Sequence, residues 1–345
     1  MSRSTTRARK HVPPRYQEMQ KLLRGLGVNV STDILHRTDT GRRNYFYGAE
    51  GILTALLSLP QERTAEIART EFNLLAPHYN DTFRDHSEAA VDLLSSAMPL
   101  IVHSIQAHLN KRSQGGNGGR ALRFFDPAAG TGAVAIPFLL RLKEAFPDVP
   151  FFVAFNDIAE NMESIANARM EAEMEIYRRS KSVGLVEQFV SSNKDFIGTD
   201  NPRALVKFPG KKAEPVDVIL VSQLFDILKG WKAKRDALER FCKLLDAGAL
   251  LVLVGEETPQ FRACKKLGLL EELLFRALFD AFRKEDAVQE VERIADGTLK
   301  IVPGGVLTYP INKDPSHRLY VILAERQKEN SLSFTLSGVA LSLAL

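Results

Sequence analysis

The sequence predicts an α/β fold, an open and mostly parallel sheet with an antiparallel final strand, preceded by a helical region. Three observations carry that prediction. Apolar runs of strand length at 121–125, 151–155, 185–190, 215–221 and 249–254 alternate with longer stretches of helical character. That rhythm produces parallel strands joined by crossover helices. The first run opens into Asp126-Pro127-Ala128-Ala129-Gly130-Thr131-Gly132-Ala133, a glycine-containing turn, and then into the apolar stretch 133–140. Near the end, the runs at 299–310 and 319–324 lie close enough to form a hairpin-like pair that finishes the sheet.

Composition narrows the function classes. The chain has 345 residues, 45% hydrophobic and 26% charged, which is ordinary for a soluble globular protein of one large domain with an addition, or of two. A net charge of +4 allows a nucleic-acid partner without requiring one. Cys242 and Cys264 are the only cysteines, which excludes a disulfide framework and a cysteine-rich metal site. The expectation is a reducing compartment, cytoplasmic or mitochondrial, and no metal. No uninterrupted apolar run reaches the roughly 18 residues that span a bilayer, so no membrane partner is expected.

The segment 1–17 holds Arg3, Arg7, Arg9, Lys10 and Arg15 and no acidic residue. It reads as an organelle presequence, a basic arm for phosphates, or a solvated tail. The region 18–112 is mostly helical. Ile52, Leu53, Leu56 and Leu57 recur at helical spacing, 64–75 follows, and 88–109 carries the stripe Ala90, Val91, Leu93, Leu94, Met98, Ile101, Val102 and Ile105. The glycine-rich stretch 113–119 reads as a flexible joint to the core domain, 120–328, and 329–345 as a tail or extra strand.

The turn after the first strand is the candidate ligand cradle. Its glycines let the backbone approach a cofactor, and the helix that follows presents unpaired N–H groups. Asp157, at the end of the second strand and about 25 residues past Gly132, stands where a ribose finds its hydroxyl acceptor. Two cofactors fit this frame. Gly130-Thr131-Gly132-Ala133-Val134-Ala135 satisfies the dinucleotide pattern G-x-G-x-x-A. Asp126, however, sits at the strand's end, and a carboxylate there repels a pyrophosphate and attracts a cationic ligand. S-adenosylmethionine carries a sulfonium and an ammonium and has no phosphate. A strand-turn-helix with no ligand is the third reading.

The block Asp126-Pro127-Ala128-Ala129-Gly130-Thr131-Gly132 resembles motif I of class I S-adenosylmethionine-dependent methyltransferases, in the D-P-A-x-G-T-G form of enzymes that methylate exocyclic amines of DNA. The resemblance implies a Rossmann-like domain and a set of roles. Asp126, Ala128, Gly130, Thr131 and Gly132 would hold the methionine part, with Asp126 near its ammonium. Asp157 would take the ribose hydroxyls. Asp195, or Asn193 beside it, would meet the adenine. Ser222 would lie at the cofactor's reactive end, and Ser222, Gln223 and Asp226 would face the acceptor, Asp226 as the candidate general base. Phe72 to Asp81 is similar to the F-x-x-x-A-x-x-Y-D segment whose aromatic covers the cofactor in many such enzymes, although Phe72 and Tyr79 also suit a core.

Ser222-Gln223-Leu224-Phe225 departs from that pattern, because enzymes acting on base amines have N-P-P-Y or D-P-P-Y there. The segment 249–262, with Glu256-Glu257-Thr258-Pro259, resembles the fifth-strand block of class I methyltransferases. With Gln260-Phe261-Arg262 it is also similar to the methyltransferase-like small-ribosomal-subunit assembly proteins, as are Ile301 to Ile311 and Arg318-Leu319-Tyr320. That group has cluster-binding cysteines absent here. The stretch 267–294 is an amphipathic insertion. The readings are a methyltransferase with RNA or a ribonucleoprotein as the preferred partner, a small-molecule methyltransferase, a binding or assembly protein without turnover, and a nicotinamide oxidoreductase.

Overall fold

Residues on each central strand alternate between two cores, which is the signature of a sheet covered on both faces. Phe124, Val218, Leu220, Leu250, Val252 and Val254 enter one core, and Phe125, Ile219, Val221, Leu251 and Leu253 enter the other. The computed structural model describes residues 65–114, 121–181, 184–209, 214–228, 230–257, 284–295 and 298–327. The basic arm, the 52–57 helix, the glycine-rich joint past residue 114, most of the 267–294 insertion and the C-terminal tail lie outside the described residues.

The seven strands are β1 (Leu122–Asp126), β2 (Phe151–Asn156), β3 (Gln188–Ser192), β4 (Val216–Ser222), β5 (Leu245–Glu256), β6 (Leu299–Ile311) and β7 (Asp314–Arg326). Their order across the sheet is β3-β2-β1-β4-β5-β7-β6. β1 to β5 pair in parallel, while β7 is antiparallel to both β5 and β6. The chain winds outward from β1 to β3, then restarts at β4 on the other side of β1. That reversal leaves a crevice at the carboxyl ends of β1 and β4, where ligands bind in open α/β sheets. The expected mostly parallel sheet with an antiparallel ending is present. The third strand spans Gln188–Ser192 rather than 185–190; Leu185 and Val186 are buried just ahead of it.

Helices cover both faces. α1 (Ala65–Leu75) and α2 (Arg84–Gln114) precede the sheet, and α3 (Ala135–Ala145) and α4 (Glu160–Lys181) follow β1 and β2. α5 (Leu224–Ile227), α6 (Gly230–Leu244) and α7 (Lys284–Ala295) come later in the chain, and a single helical turn, Tyr79–Thr82, lies between α1 and α2. α2 is longer than its apolar stripe predicts and contains Pro99. Its Ala90, Leu93, Leu94, Ala97, Ile101 and Ile105 are buried in the same core as α3 and the first-face strand residues. By length and composition alone α2 is long and apolar enough to cross a membrane. Here its buried face packs on the sheet.

α2 is also latched to the amino end of the central strand β4. His108 Nε2 lies 2.8 Å from Asp217 Oδ1 on β4, Arg112 contacts the same oxygen, and the Arg123 amide donates to Oδ2 at 2.8 Å. Burial alone would raise the Asp217 carboxyl. The His108 hydrogen bond and the Arg112 charge outweigh burial and hold it below the ordinary carboxylate range.

Candidate functional site

A pocket of about 290 Å³ opens at the carboxyl ends of β1, β2 and β4. Pro127, Ala128 and Gly130 form one wall, Asn156, Asp157 and Met162 the next, and Lys194 to Ile197 and Ser222 to Leu224 the far side. Ala65, Ala68, Phe72 and Tyr79 cover it from the α1 side. A small side chamber shares Tyr79, Ala128, Gly130, Ser222 and Gln223 with it and is bounded by Asp126, Thr131 and Ser87.

The turn after β1 is built by its two acids. The Ala128 amide donates to Asp126 Oδ1 at 3.0 Å, and the Gly130 amide to Asp157 Oδ2 at 2.8 Å. The other oxygen of Asp157 accepts from the Ala159 amide at 2.9 Å, just ahead of α4. The Ala129 amide bonds Asn156 and the Gly132 amide bonds Ala129. The turn thus reverses with Gly130 and Gly132 at positive φ, 55° and 73°. A Cβ at Gly132 would stand 2.7 Å from Ile136 Cδ1, so close helix packing also requires glycine there. Thr131 is buried, with its hydroxyl 2.5 Å from Asn80 Oδ1 and its carbonyl accepting from Arg169.

Burial raises both acids at the turn above the ordinary carboxylate range. Burial pushes Asp126 up to about 8, against the Ala128 hydrogen bond, and nearby Asp157 adds to the rise. Burial likewise lifts Asp157 to about 6, with the Ala159 and Gly130 amides opposing and Glu163 adding. Burial, then Asp157, also keeps the Tyr79 phenol well above its ordinary range.

The remaining predicted residues divide by position. Asp195 lines the pocket, with Oδ1 on the Ile197 amide at 3.0 Å. Phe196 beside it is anchored by stacking on Phe241 at 5.2 Å. Asn193 is exposed and is not among the lining residues. Ser222 and Gln223 line the pocket, and Gln223 adopts a left-handed conformation, φ 59°, with its amide on the Val254 carbonyl. For a residue with a Cβ that conformation is costly, of order 1–3 kcal/mol, and such strain clusters at functional sites. Asp226 is fully buried behind the wall, its Oδ2 accepting from the Glu256 amide at 2.9 Å. From there it positions the end of β5.

Sequence reasoning passed over Asn156. Its amide nitrogen donates to the Pro127 and Lys194 carbonyls, and its Oδ1 accepts from Ser192. One side chain thereby ties the loops after β1 and β3 to the end of β2. An asparagine ending an otherwise apolar strand was the available signal. Lys194, Ile227 and Leu228 carried none. Phe72 and Tyr79, read as cover or core, both face the pocket.

No protein-family model matches the sequence. No curated protein matches it significantly. Similar solved structures include magnesium protoporphyrin IX methyltransferase from Synechocystis PCC 6803 with bound SAM, at 14% identity and TM-score 0.41, covering 78% of this chain and 99% of that one. The N-methyltransferase NodS from Bradyrhizobium japonicum WM9 with S-adenosyl-L-homocysteine is 13% identical, TM-score 0.43, covering 81% and 99%. Human N-acetylserotonin methyltransferase with SAM is 13% identical, TM-score 0.44, covering 85% and 66%. Likeness at this level assigns no activity or substrate to this chain.

Proposed function

We propose that this protein is an S-adenosylmethionine-dependent methyltransferase. The observation that carries the reading is the state of the glycine turn. The amides of Ala128, Ala129, Gly130 and Gly132 already have acceptors within the protein, and those of Ala128 and Gly130 are the side chains of Asp126 and Asp157. A dinucleotide pyrophosphate needs free amides and no carboxylate at that place. A ligand with an ammonium and a sulfonium benefits from both acids. In this reading Asp126 and the turn face the amino-acid end through the side chamber. Asp157 accepts from the ribose, and the adenine lies among Phe196, Ile197 and Leu224 with Asp195 as acceptor.

Methyl transfer from a sulfonium is an in-line displacement that demands alignment and exclusion of water. Ser222 and the strained Gln223 stand where the acceptor approaches. The acceptor is either RNA, which the basic 1–17 segment favours, or a small molecule. A second reading, a cofactor-binding assembly or binding protein without turnover, is favoured by the absence of the N-P-P-Y pattern at 222–225.

Isothermal titration of the full chain with S-adenosylmethionine, S-adenosylhomocysteine and NADH tests the cofactor. Micromolar binding of the first two is expected, weakened roughly 10- to 100-fold in Asp157→Ala through loss of charge-assisted hydrogen bonds. Binding of NADH alone would overturn the reading. Labelled-methyl transfer to RNA and small-molecule pools then separates the acceptors, and bound cofactor with no labelled product supports the second reading.

A further inference from the structure

Next to the carboxyl end of β5, outside the pocket, three side chains from distant parts of the sequence converge. Glu256 ends β5 and is 2% exposed. His317, on β7, contacts Glu256 Oε1 through Nε2. His86, in the first turns of α2, places its Nε2 3.6 Å from the same oxygen. One ligand atom from each of the three residues lies within 4.8 Å of the others. The His86–Glu256 distance exceeds hydrogen-bond reach, and His86 Nδ1 is buried without a hydrogen-bond partner among the described residues. The two imidazoles pack edge to face at 5.4 Å between ring centroids, and Phe83 holds His86 from the other side at 5.9 Å.

We propose that His86, Glu256 and His317 form a binding site for a divalent transition-metal ion, Zn²⁺ foremost. Ligands at about 2.0–2.2 Å from a tetrahedral ion stand roughly 3.4 Å apart, close to the His86–Glu256 separation, while His317 would exchange its direct contact with Glu256 Oε1 for the ion. Two neutral imidazoles and one carboxylate are the donor set for such ions, whereas Mg²⁺ and Ca²⁺ take oxygen ligands. Three protein ligands leave a coordination position for water or another ligand. The site adjoins the proposed methyltransferase pocket through the ring series Tyr79, Phe83, His86, but the inference does not rest on the cofactor reading. The other compact group of histidine and acids, His108, Asp217 and Asp246, is unlike it, because Arg112 already occupies Asp217.

The test uses untagged full-length protein stripped with a chelator, then dialysed against Co²⁺ or Zn²⁺ and measured by elemental analysis. About one ion per chain is expected, with visible Co²⁺ absorption that Zn²⁺ abolishes and Mg²⁺ does not. His86→Ala and His317→Ala should each weaken binding by at least the ~100-fold that outer-shell changes reach. Zn²⁺ should raise Tm in the unaltered protein and not in the variants. Glu256→Gln keeps the side-chain shape and replaces either alanine variant that fails to fold. No ion retained at micromolar free metal, or binding unchanged in His86→Ala and Glu256→Gln, overturns the site. So does a thiolate charge-transfer band, which would move the ion to Cys242 or Cys264.

Discussion

Asp126 and Asp157 set the electrostatics of the pocket, and both should make binding depend on pH. The ligand's sulfonium and ammonium favour their ionised forms, so affinity for S-adenosylmethionine should rise from pH 6 to pH 8.5 as the groups at about 6 and about 8 lose their protons. Titrations across that range check this, and Asp126→Asn should flatten the upper part of the profile. Stability runs the other way. Asp126 has a folded pKa above its ordinary value near 3.8. Its contribution is therefore fully present below about pH 4 and is lost as pH rises through about 8. Asparagine keeps the acceptor for the Ala128 amide without the buried charge. Asp126→Asn should accordingly melt later than the parent at pH 8, by at least ~1 kcal/mol, while binding the cofactor less well. An earlier melt would overturn the buried-charge account of Asp126.

At the scale of elements, the β1–α3 turn and the α1–α4 contact frame the pocket. Gly130 and Gly132 share positive φ, but only Gly132 has a neighbour where a Cβ would go. Gly130→Ala should cost about 1–2 kcal/mol for its backbone conformation alone. Gly132→Ala should cost more, about 2–4 kcal/mol, because Ile136 must also move. Urea titrations of the two variants give the order directly, and equal losses would refute the packing part of the argument. α1 is held over the pocket by Asn73, whose side-chain oxygen accepts from the Asn161 amide at 2.8 Å and whose carbonyl accepts from the Asn161 side chain. A residue on one helix thus supplies a missing cap to the start of another. The strands were readable because a strand buried on both faces is a short continuous apolar run, a local pattern. α2 extends beyond the 88–109 stripe at both ends because its first and last turns are polar and carry no apolar periodicity.

For the whole molecule, the question is whether α2 and the sheet are one cooperative unit. Leu93 is 1% exposed in the core shared with α3 and the central strands. Leu93→Ala should cost about 2–5 kcal/mol and leave a single unfolding transition. Two transitions would mean that α2 folds separately. The Asp217 latch gives a second measure. Removing the charge with Asp217→Asn leaves Arg112 facing a neutral group and should cost about 3–5 kcal/mol. Because the folded carboxyl lies below its ordinary value, that stabilisation is present above about pH 4 and disappears as pH falls through the folded pKa. The parent and Asp217→Asn should therefore converge in Tm in acid.

Local periodicity and short spacings in the sequence determined the sheet's strands, the glycine turn and the acids at the ends of β1 and β2, because each is a relation among neighbours. Which amides of the turn remain available to a ligand was a tertiary outcome. Gly130 is satisfied by Asp157 from the end of the next strand, a pairing that adds to Asp126 in weighing against a pyrophosphate. Asp226 looked like an acceptor-side acid by position, yet the end of β5 folds over it and takes its carboxylate. His86, Glu256 and His317 lie on α2, β5 and β7 and share no motif. They meet because antiparallel pairing sets Glu256 opposite Leu319 and α2 packs its first turns against the same edge. Contacts of that range follow from how the layers stack, which no stretch of sequence contains by itself.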